Sequence, residues 1–296
     1  MNHNILGLNT IAYIWCHPNS RHKRIQSLGK FTLWQLYKRL THRPIDINLV
    51  SGIKMRCHPD SRSASAVFYC GFYDYDEMNF LRRFLRPEDS FIDIGANVGV
   101  YSLLAASKIT DGSIHSFEVL PKNYARLQEN IAFNGLEQIK THQIAVSDRT
   151  GTISLNLAEG DCMPFITDQA TDNMIPVATD TLDNLLQNQD ITNLTLAKMD
   201  IEGAEILALT GARYLLQQQR PYVWIMEINN TVSHFGHQQQ DLVDFLANYG
   251  YHIYSYSADT NQLTPITLER KQGNNVLAIA ESALDLVQQR LAEIAL

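Results

Sequence analysis

A chain of 296 residues that is 45% hydrophobic and carries a formal charge of −7 can bury one large core, with at most a modest appendage. The acidic balance and a sequence pI near 5.8 argue against a general nucleic-acid binder, which needs a basic face. Cys16, Cys57, Cys70 and Cys162 lie far apart without a Cys-x-x-Cys pair, so neither a disulfide framework nor a zinc cluster is signalled.

The N-terminus lacks the positive n-region of a signal peptide, and no apolar run is long enough to cross a bilayer. The expectation is a cytoplasmic chain with no transmembrane segment. Its first 45 residues contain Arg21, Lys23, Arg24, Lys30, Lys38, Arg39 and Arg43, while the first acid in the chain is Asp46. Within them Phe31, Leu33, Trp34, Leu36, Tyr37 and Leu40 follow helical spacing. Two readings stay open. One is a helix packed on the main domain with a solvated basic face; the other is a lid, dimer arm or peripheral surface helix that attracts an anionic substrate or lipid headgroup.

Alternation in residues 45–50 and 66–69 suggests a small β unit. Residues 76–86 then carry Met78, Phe80, Leu81, Phe84 and Leu85 at helical spacing, and Pro87 ends that helix. Next comes Phe91-Ile92-Asp93-Ile94-Gly95-Ala96-Asn97-Val98-Gly99, a short buried strand running into a turn, with helical spacing over residues 100–108. Gly95 and Gly99 permit positive φ and close backbone approach, and Asn97 tolerates the left-handed region best among non-glycine residues. A strand, a glycine-containing turn and a helix N-terminus make a donor-rich hollow suited to a nucleotide or nucleotide-like cofactor. The next strand ends in Ser116-Phe117-Glu118, and an acid at that position reaches the two hydroxyls of a ribose.

Further along, residues 121–133 read as a helix opened by Pro121 and closed by Asn134-Gly135. Residues 139–144 read as a third strand leading to Ala145-Val146-Ser147-Asp148. An exposed strand at 152–157 precedes a polar loop at 158–173, and Thr179 or Asp180 caps the next helix. A fourth strand, 194–200, ends at Asp200 and runs into Ile201-Glu202-Gly203-Ala204-Glu205; residues 206–216 form the following helix. A fifth strand ends at Glu227. After a helix at 242–249, strands at 251–256 and 275–280 are joined without the length of a crossover helix, which implies an antiparallel hairpin closing an otherwise parallel sheet. That ending favours S-adenosylmethionine over a dinucleotide, as does the lack of a third glycine at Tyr101-Ser102.

The segments Phe91-Ile92-Asp93-Ile94-Gly95-Ala96-Asn97-Val98-Gly99, Ser116-Phe117-Glu118, Ala145-Val146-Ser147-Asp148, Thr181-Leu182-Asp183 and Lys198-Met199-Asp200-Ile201-Glu202-Gly203-Ala204-Glu205 resemble the FkbM-type methyltransferase family. The resemblance covers roughly residues 75–230. It implies a class I, Rossmann-like α/β fold and methylation of hydroxyls on sugars and polyketides. One departure is that proline stands at Pro121 rather than directly after the acid Glu118. The fold class expected is therefore a mostly parallel α/β sheet with a C-terminal antiparallel hairpin and a basic helical N-terminal extension. Residues 1–72 form the extension and 73–296 the S-adenosylmethionine-binding methyltransferase domain.

For such an enzyme, Asp93, Gly95, Ala96, Asn97 and Gly99 hold the methionine end, Glu118 the ribose, and Ser147 and Asp148 the adenine edge. Asp148 reads equally well as an ordinary turn residue. Asp200 is the first candidate base for the acceptor hydroxyl, with Glu202 and Glu227 beside it and His234 as an alternative. Lys198 shares the strand face of Asp200 and can hold it ionised. Asp200 and Glu227 also offer a site for Mg2+, which would lower the acceptor's pKa. The partner expected is a small-molecule or glycan hydroxyl acceptor, with homo-oligomerisation open. Two competing readings remain: an NAD(P)-dependent oxidoreductase, and a non-catalytic adenosyl-binding subunit.

Overall fold

The computed structural model describes residues 3–50, 52–156, 165–166, 174–189, 191 and 193–293. The chain opens with helix α1 (His3–Cys16), a short 3-10 turn and helix α2 (Arg24–Thr41). An antiparallel hairpin of β1 (Ile45–Val50) and β2 (Ile53–Cys57) follows, then α3 (Arg62–Cys70). Residues 66–69, read from their sequence as part of a β unit, lie in α3. Ser61 caps that helix by accepting a hydrogen bond from the Ala64 amide, and Ala64, Val67 and Cys70 bury one face at a spacing of three. A four-residue apolar run cannot separate helix from strand by itself; the cap and the wider spacing decide it.

The main body continues with α4 (Tyr75–Phe84), β3 (Ser90–Ile94), α5 (Val100–Ala106), β4 (Ile114–Phe117), α6 (Pro121–Asn134), β5 (Ile139–His142) and β6 (Ala145–Val146). Then come β7 (Gly151–Asn156), β8 (Phe165–Ile166), β9 (Met174–Asp180), α7 (Leu182–Leu186), β10 (Leu194–Met199), α8 (Glu205–Thr210), α9 (Arg213–Gln217) and β11 (Val223–Glu227). The C-terminal part holds α10 (Gln239–Ala247), β12 (Tyr251–Ser257), β13 (Gln262–Pro265), β14 (Asn275–Ala280) and α11 (Leu284–Ala292). Thr181, not Thr179 or Asp180, caps α7, its hydroxyl accepting from the Asn184 amide at 3.2 Å. The helix expected over 206–216 is broken into α8 and α9 at Gly211, where a Cβ would stand 2.0 Å from the Ser147 carbonyl oxygen. Apart from β8, the polar loop 158–173 lies outside the described residues.

An eight-stranded sheet in the order β13-β12-β14-β11-β10-β3-β4-β5 forms the centre. Strands β11, β10, β3, β4 and β5 are mutually parallel, whereas β14 runs antiparallel to both β11 and β12. The edge strand β13, antiparallel to β12, went unread in the sequence; the strand read at 152–157 is β7, which belongs to a second sheet ordered β6-β9-β7-β8. One face of the main sheet packs Phe91, Leu196 and Ile225 against α4 and α5. Trp34, Met55 and Val67 join that same core, so it runs unbroken across residue 72. The other face packs Ile92, Ala197 and Trp224 against α7 to α10.

Chain order reverses between β3 and β10, which are hydrogen-bonded neighbours. Successive strands leave β3 toward β4 and β5, and β10 toward β11. In an open α/β sheet this is where loops part to leave a crevice at the strands' carboxyl ends.

Candidate active site

The crevice at that switch point is a cleft of about 380 Å3. It is built from the turn after β3, the tip of β4, the start of α6 and the loop after β10, with residues 60–63 and Tyr73 closing one side. The turn is tight for a reason. Gly95 has φ +80°, and a Cβ there would meet the Asp200 carbonyl oxygen at 2.0 Å, so the β3 and β10 loops touch. Asn97 takes the left-handed region at φ 52°, and its side-chain oxygen accepts from the Val98 amide at 2.9 Å.

Parallel register sets Ser116, Asp93 and Lys198 in one row across β4, β3 and β10. Asp93 is buried, with Oδ2 accepting from the Ser102 hydroxyl at 2.5 Å. Its Oδ1 is also buried and has no hydrogen-bond partner among the described residues. Lys198 is buried beneath the Tyr101 ring and donates to Asp200 Oδ2 at 2.9 Å. Burial opposes the Lys198 charge, but Asp200, Asp93 and Asp74 together outweigh it and raise its pKa above the ordinary lysine value.

Glu118 ties two loops together at the centre of the cleft. One carboxylate oxygen accepts from the Asn97 amide and the other from the Leu120 amide, both at 2.8 Å. Burial pushes its pKa up to about 7, against the opposing pull of the Leu120, Asn97 and Val119 amides. A proline directly after the acid would lack the Val119 N–H, so the sequence departure adds a donor to this carboxylate. Each oxygen retains acceptor capacity for a further donor. Beyond Glu118 the wall turns apolar, with Phe117, Leu120, Ile144, Val146, Ile153 and Leu155.

Glu202 lines the same cleft at φ 55°, a strained conformation for a non-glycine residue. Burial, then Asp200, Glu227 and Glu205, raise its pKa to about 7. Glu205 faces its own loop, accepting from the Ile201 and Gly203 amides at the start of α8.

Residues 93–253, more than half of the chain, match the family described as the methyltransferase FkbM domain. The chain belongs to the FkbM methyltransferase family. Among its curated relatives, Methyltransferase 1 of Beauveria bassiana is 24% identical over 147 residues, covering 42% of this chain and 59% of the relative. The 2-O-methyltransferase NoeI of Sinorhizobium fredii is 25% identical over 152 residues, covering 46% and 62%. The chain thus spans about three-fifths of the length of either relative. A crystal structure of a methyltransferase FkbM from Methylobacillus flagellatus aligns at 18% identity and a TM-score of 0.41, over 74% of this chain and 55% of that one.

In this FkbM-family chain, Asp93, Gly95, Ala96, Asn97, Glu118, Asp200 and Glu202 converge on one cleft. Five other residues singled out in the sequence stand outside its lining. Gly99 meets α6, where a Cβ would lie 2.7 Å from Leu127 Cδ1, so its bareness serves helix packing. Ser147 is buried under Gly211, and its hydroxyl donates to Asp148 at 3.2 Å; the cleft wall there is Ile144–Val146 instead. Glu227 accepts from Asn274 at 3.1 Å, and burial and then Asp200 raise its pKa. His234 lies exposed in a 3-10 turn after β11. For the Mg2+ pair Asp200 and Glu227, no third ligand joins them: among the described residues no group of three His, Cys, Asp or Glu side chains is arranged to hold a metal.

The sequence reading missed Asp60–Ser63, Asn123 and Arg126 on the cleft wall and Asp74 behind it. Asp74 accepts from the Tyr101 hydroxyl at 2.9 Å, and burial raises its pKa to about 6. Glu77, next to it in space, is raised by burial and Asp74 to about 7.

These shifts predict how the ligand-free chain responds to pH. Glu77, Glu118, Glu202 and Glu205 all titrate near 7 when folded, well above their unfolded values. Each favours the fold fully while protonated in both states, and loses that contribution as pH rises through about 7. His115 acts oppositely, because burial lowers its pKa to about 4, but its contribution is complete once pH passes the ordinary histidine value. The melting temperature should therefore fall from pH ~5 to ~7.5, the four carboxyls outweighing His115, and level off toward pH ~8. A scanning-calorimetry series in which it holds level or rises from pH ~5 to ~7.5 contradicts the assignment.

Proposed function

We propose that this chain is an S-adenosylmethionine-dependent O-methyltransferase acting on a hydroxyl of a sugar, glycoside or related secondary metabolite. The observation that carries the reading is the convergence of Asp93, Glu118 and Asp200 on a single cleft at the β3–β10 switch point. The cleft suits this cofactor on its own residues. The unpartnered Asp93 Oδ1 offers a buried acceptor for an ammonium group. Glu118 has lone pairs left for ribose hydroxyls, and the wall from Phe117 to Leu155 gives an apolar slot for a purine.

When bound, S-adenosylmethionine supplies a methyl group activated by its sulfonium. The chain's part is to orient, exclude water and handle one proton. Asp93 and the turn at Gly95–Asn97 orient the amino-acid end, and Glu118 fixes the ribose. An aliphatic hydroxyl is too weak an acid to react unaided near neutral pH, so a base is needed. Asp200, paired with Lys198 at 2.9 Å, takes the acceptor's proton, and Glu202 stands beside it on the same cleft. The relative named a 2-O-methyltransferase supports oxygen as the acceptor atom.

Glu118→Ala should weaken binding of S-adenosylhomocysteine by ~1.5–3 kcal/mol, the scale of lost hydrogen bonds to a charged group. An unchanged calorimetric affinity in a folded variant removes Glu118 from the ribose role. The reaction class is tested by incubating the full chain with methyl-labelled S-adenosylmethionine and a panel of hydroxylated glycosides and polyketides. Mass spectrometry should find the label on an acceptor oxygen. Transfer only to nitrogen or carbon acceptors, or to none, contradicts the reading.

A further inference from the structure

Helix α2 is apolar on two opposite sides, and only one of them is used by the fold. Ser27 and Trp34 turn inward, with the Trp34 indole N–H donating to Ser65 at 3.0 Å. On the far side Ile25, Leu33, Leu36 and Leu40 share a stripe at helical spacing, with exposures of 85%, 63%, 57% and 73%. Trp15 of α1, itself 47% exposed, stands at the start of α2 with its ring under the Arg24 guanidinium at 5.0 Å. A contiguous exposed apolar stripe of this size marks an interaction surface.

Charge identifies the partner's chemistry. The first 45 residues hold a net +7 with no acid, while the remainder of the chain holds −14. Lys23, Arg24, Arg39 and Arg43 are all exposed, Arg39 beside the stripe and the other three at the two ends of α2. A second copy of the chain fits poorly, because a two-fold contact would bring the same cations against themselves. Spanning is also ruled out for these helices: among the described residues no helix is long and apolar enough to cross a membrane. An apolar stripe edged by cations, with a tryptophan at one end, matches the interface of an anionic bilayer.

We propose that α1 and α2 dock this protein on the surface of an anionic phospholipid membrane. The aliphatic stripe enters the headgroup–acyl boundary, and the flanking lysines and arginines meet the headgroup phosphates. Ion pairing of Arg21 with Asp259 at 2.6 Å, and hydrogen bonds from Tyr13 and His17 to the Tyr73 carbonyl, fasten this helical unit to the main domain. The proposal stands apart from the methyl-transfer reading, and either can fail alone.

Flotation of the full chain with phosphatidylcholine vesicles, with and without about 30% phosphatidylserine, tests it. The protein should float with the anionic vesicles only, and high salt should release it. The variant Leu33→Ser/Leu36→Ser/Leu40→Ser should bind at least about tenfold more weakly, with an unchanged melting temperature because these side chains are exposed. Arg39→Glu should weaken binding about fivefold or more. Failure of the wild type to float, or equal flotation of the triple variant, overturns the proposal. So does a wild-type dimer in light scattering that the triple variant converts to a monomer, which would give the stripe to a second copy.

Discussion

Replacing Asp200 by Asn should lower turnover by about 10²–10⁴-fold, the usual contribution of a positioned general base, while cofactor affinity stays near the wild-type value. Asp200 directly follows β10, lines the cleft and keeps 42% of its side chain exposed. Lys198 engages Oδ2 alone, which leaves Oδ1 for the acceptor's proton. Asparagine keeps the size and loses the basicity, so kcat falls with little change in binding. Turnover near normal would move the role to Glu202. That carboxyl ionises near pH 7, and the rate would then fall as pH drops through about 7.

Lys198→Met should cost about 1.5–3 kcal/mol of folding stability, the scale of a charged hydrogen bond, discounted because its partner Asp200 is part-exposed. The side chain is 6% exposed, sits in register with Asp93 and pairs with Asp200. It also lowers the pKa of Asp74, which burial otherwise raises. Methionine fills the same volume, so packing against the Tyr101 ring survives and the loss reports the electrostatics. Urea denaturation is the measurement. A loss under about 1 kcal/mol would mean that the carboxylates around Lys198 protonate or hydrate at little cost.

The sequence made the β3 strand, its turn and α5 legible because two unusual backbone demands coincide there: positive φ at Gly95 and a left-handed Asn97. Glu118 and Asp200 were legible for a related reason, since strand ends in a parallel sheet fall on one rim. What escaped notice depends on contacts distant in sequence. Residues 60–63 reach the cleft only because the N-terminal hairpin packs on α6, where Asn130 bonds the Arg56 amide at 2.7 Å. Ser147 belonged to the right strand end, but Gly211 packs over its carbonyl and the chain turns before the side chain reaches the cleft. Glu227 ends its strand beside Asp200 in the sheet order, yet it lies one strand beyond the cleft's lining.

Calorimetric titration of the full chain with S-adenosylhomocysteine, and separately with NAD, puts the central claim at risk most directly. One equivalent of S-adenosylhomocysteine should bind and NAD should give no heat of binding. Saturable NAD binding, or no binding of S-adenosylhomocysteine by the folded chain, contradicts the account.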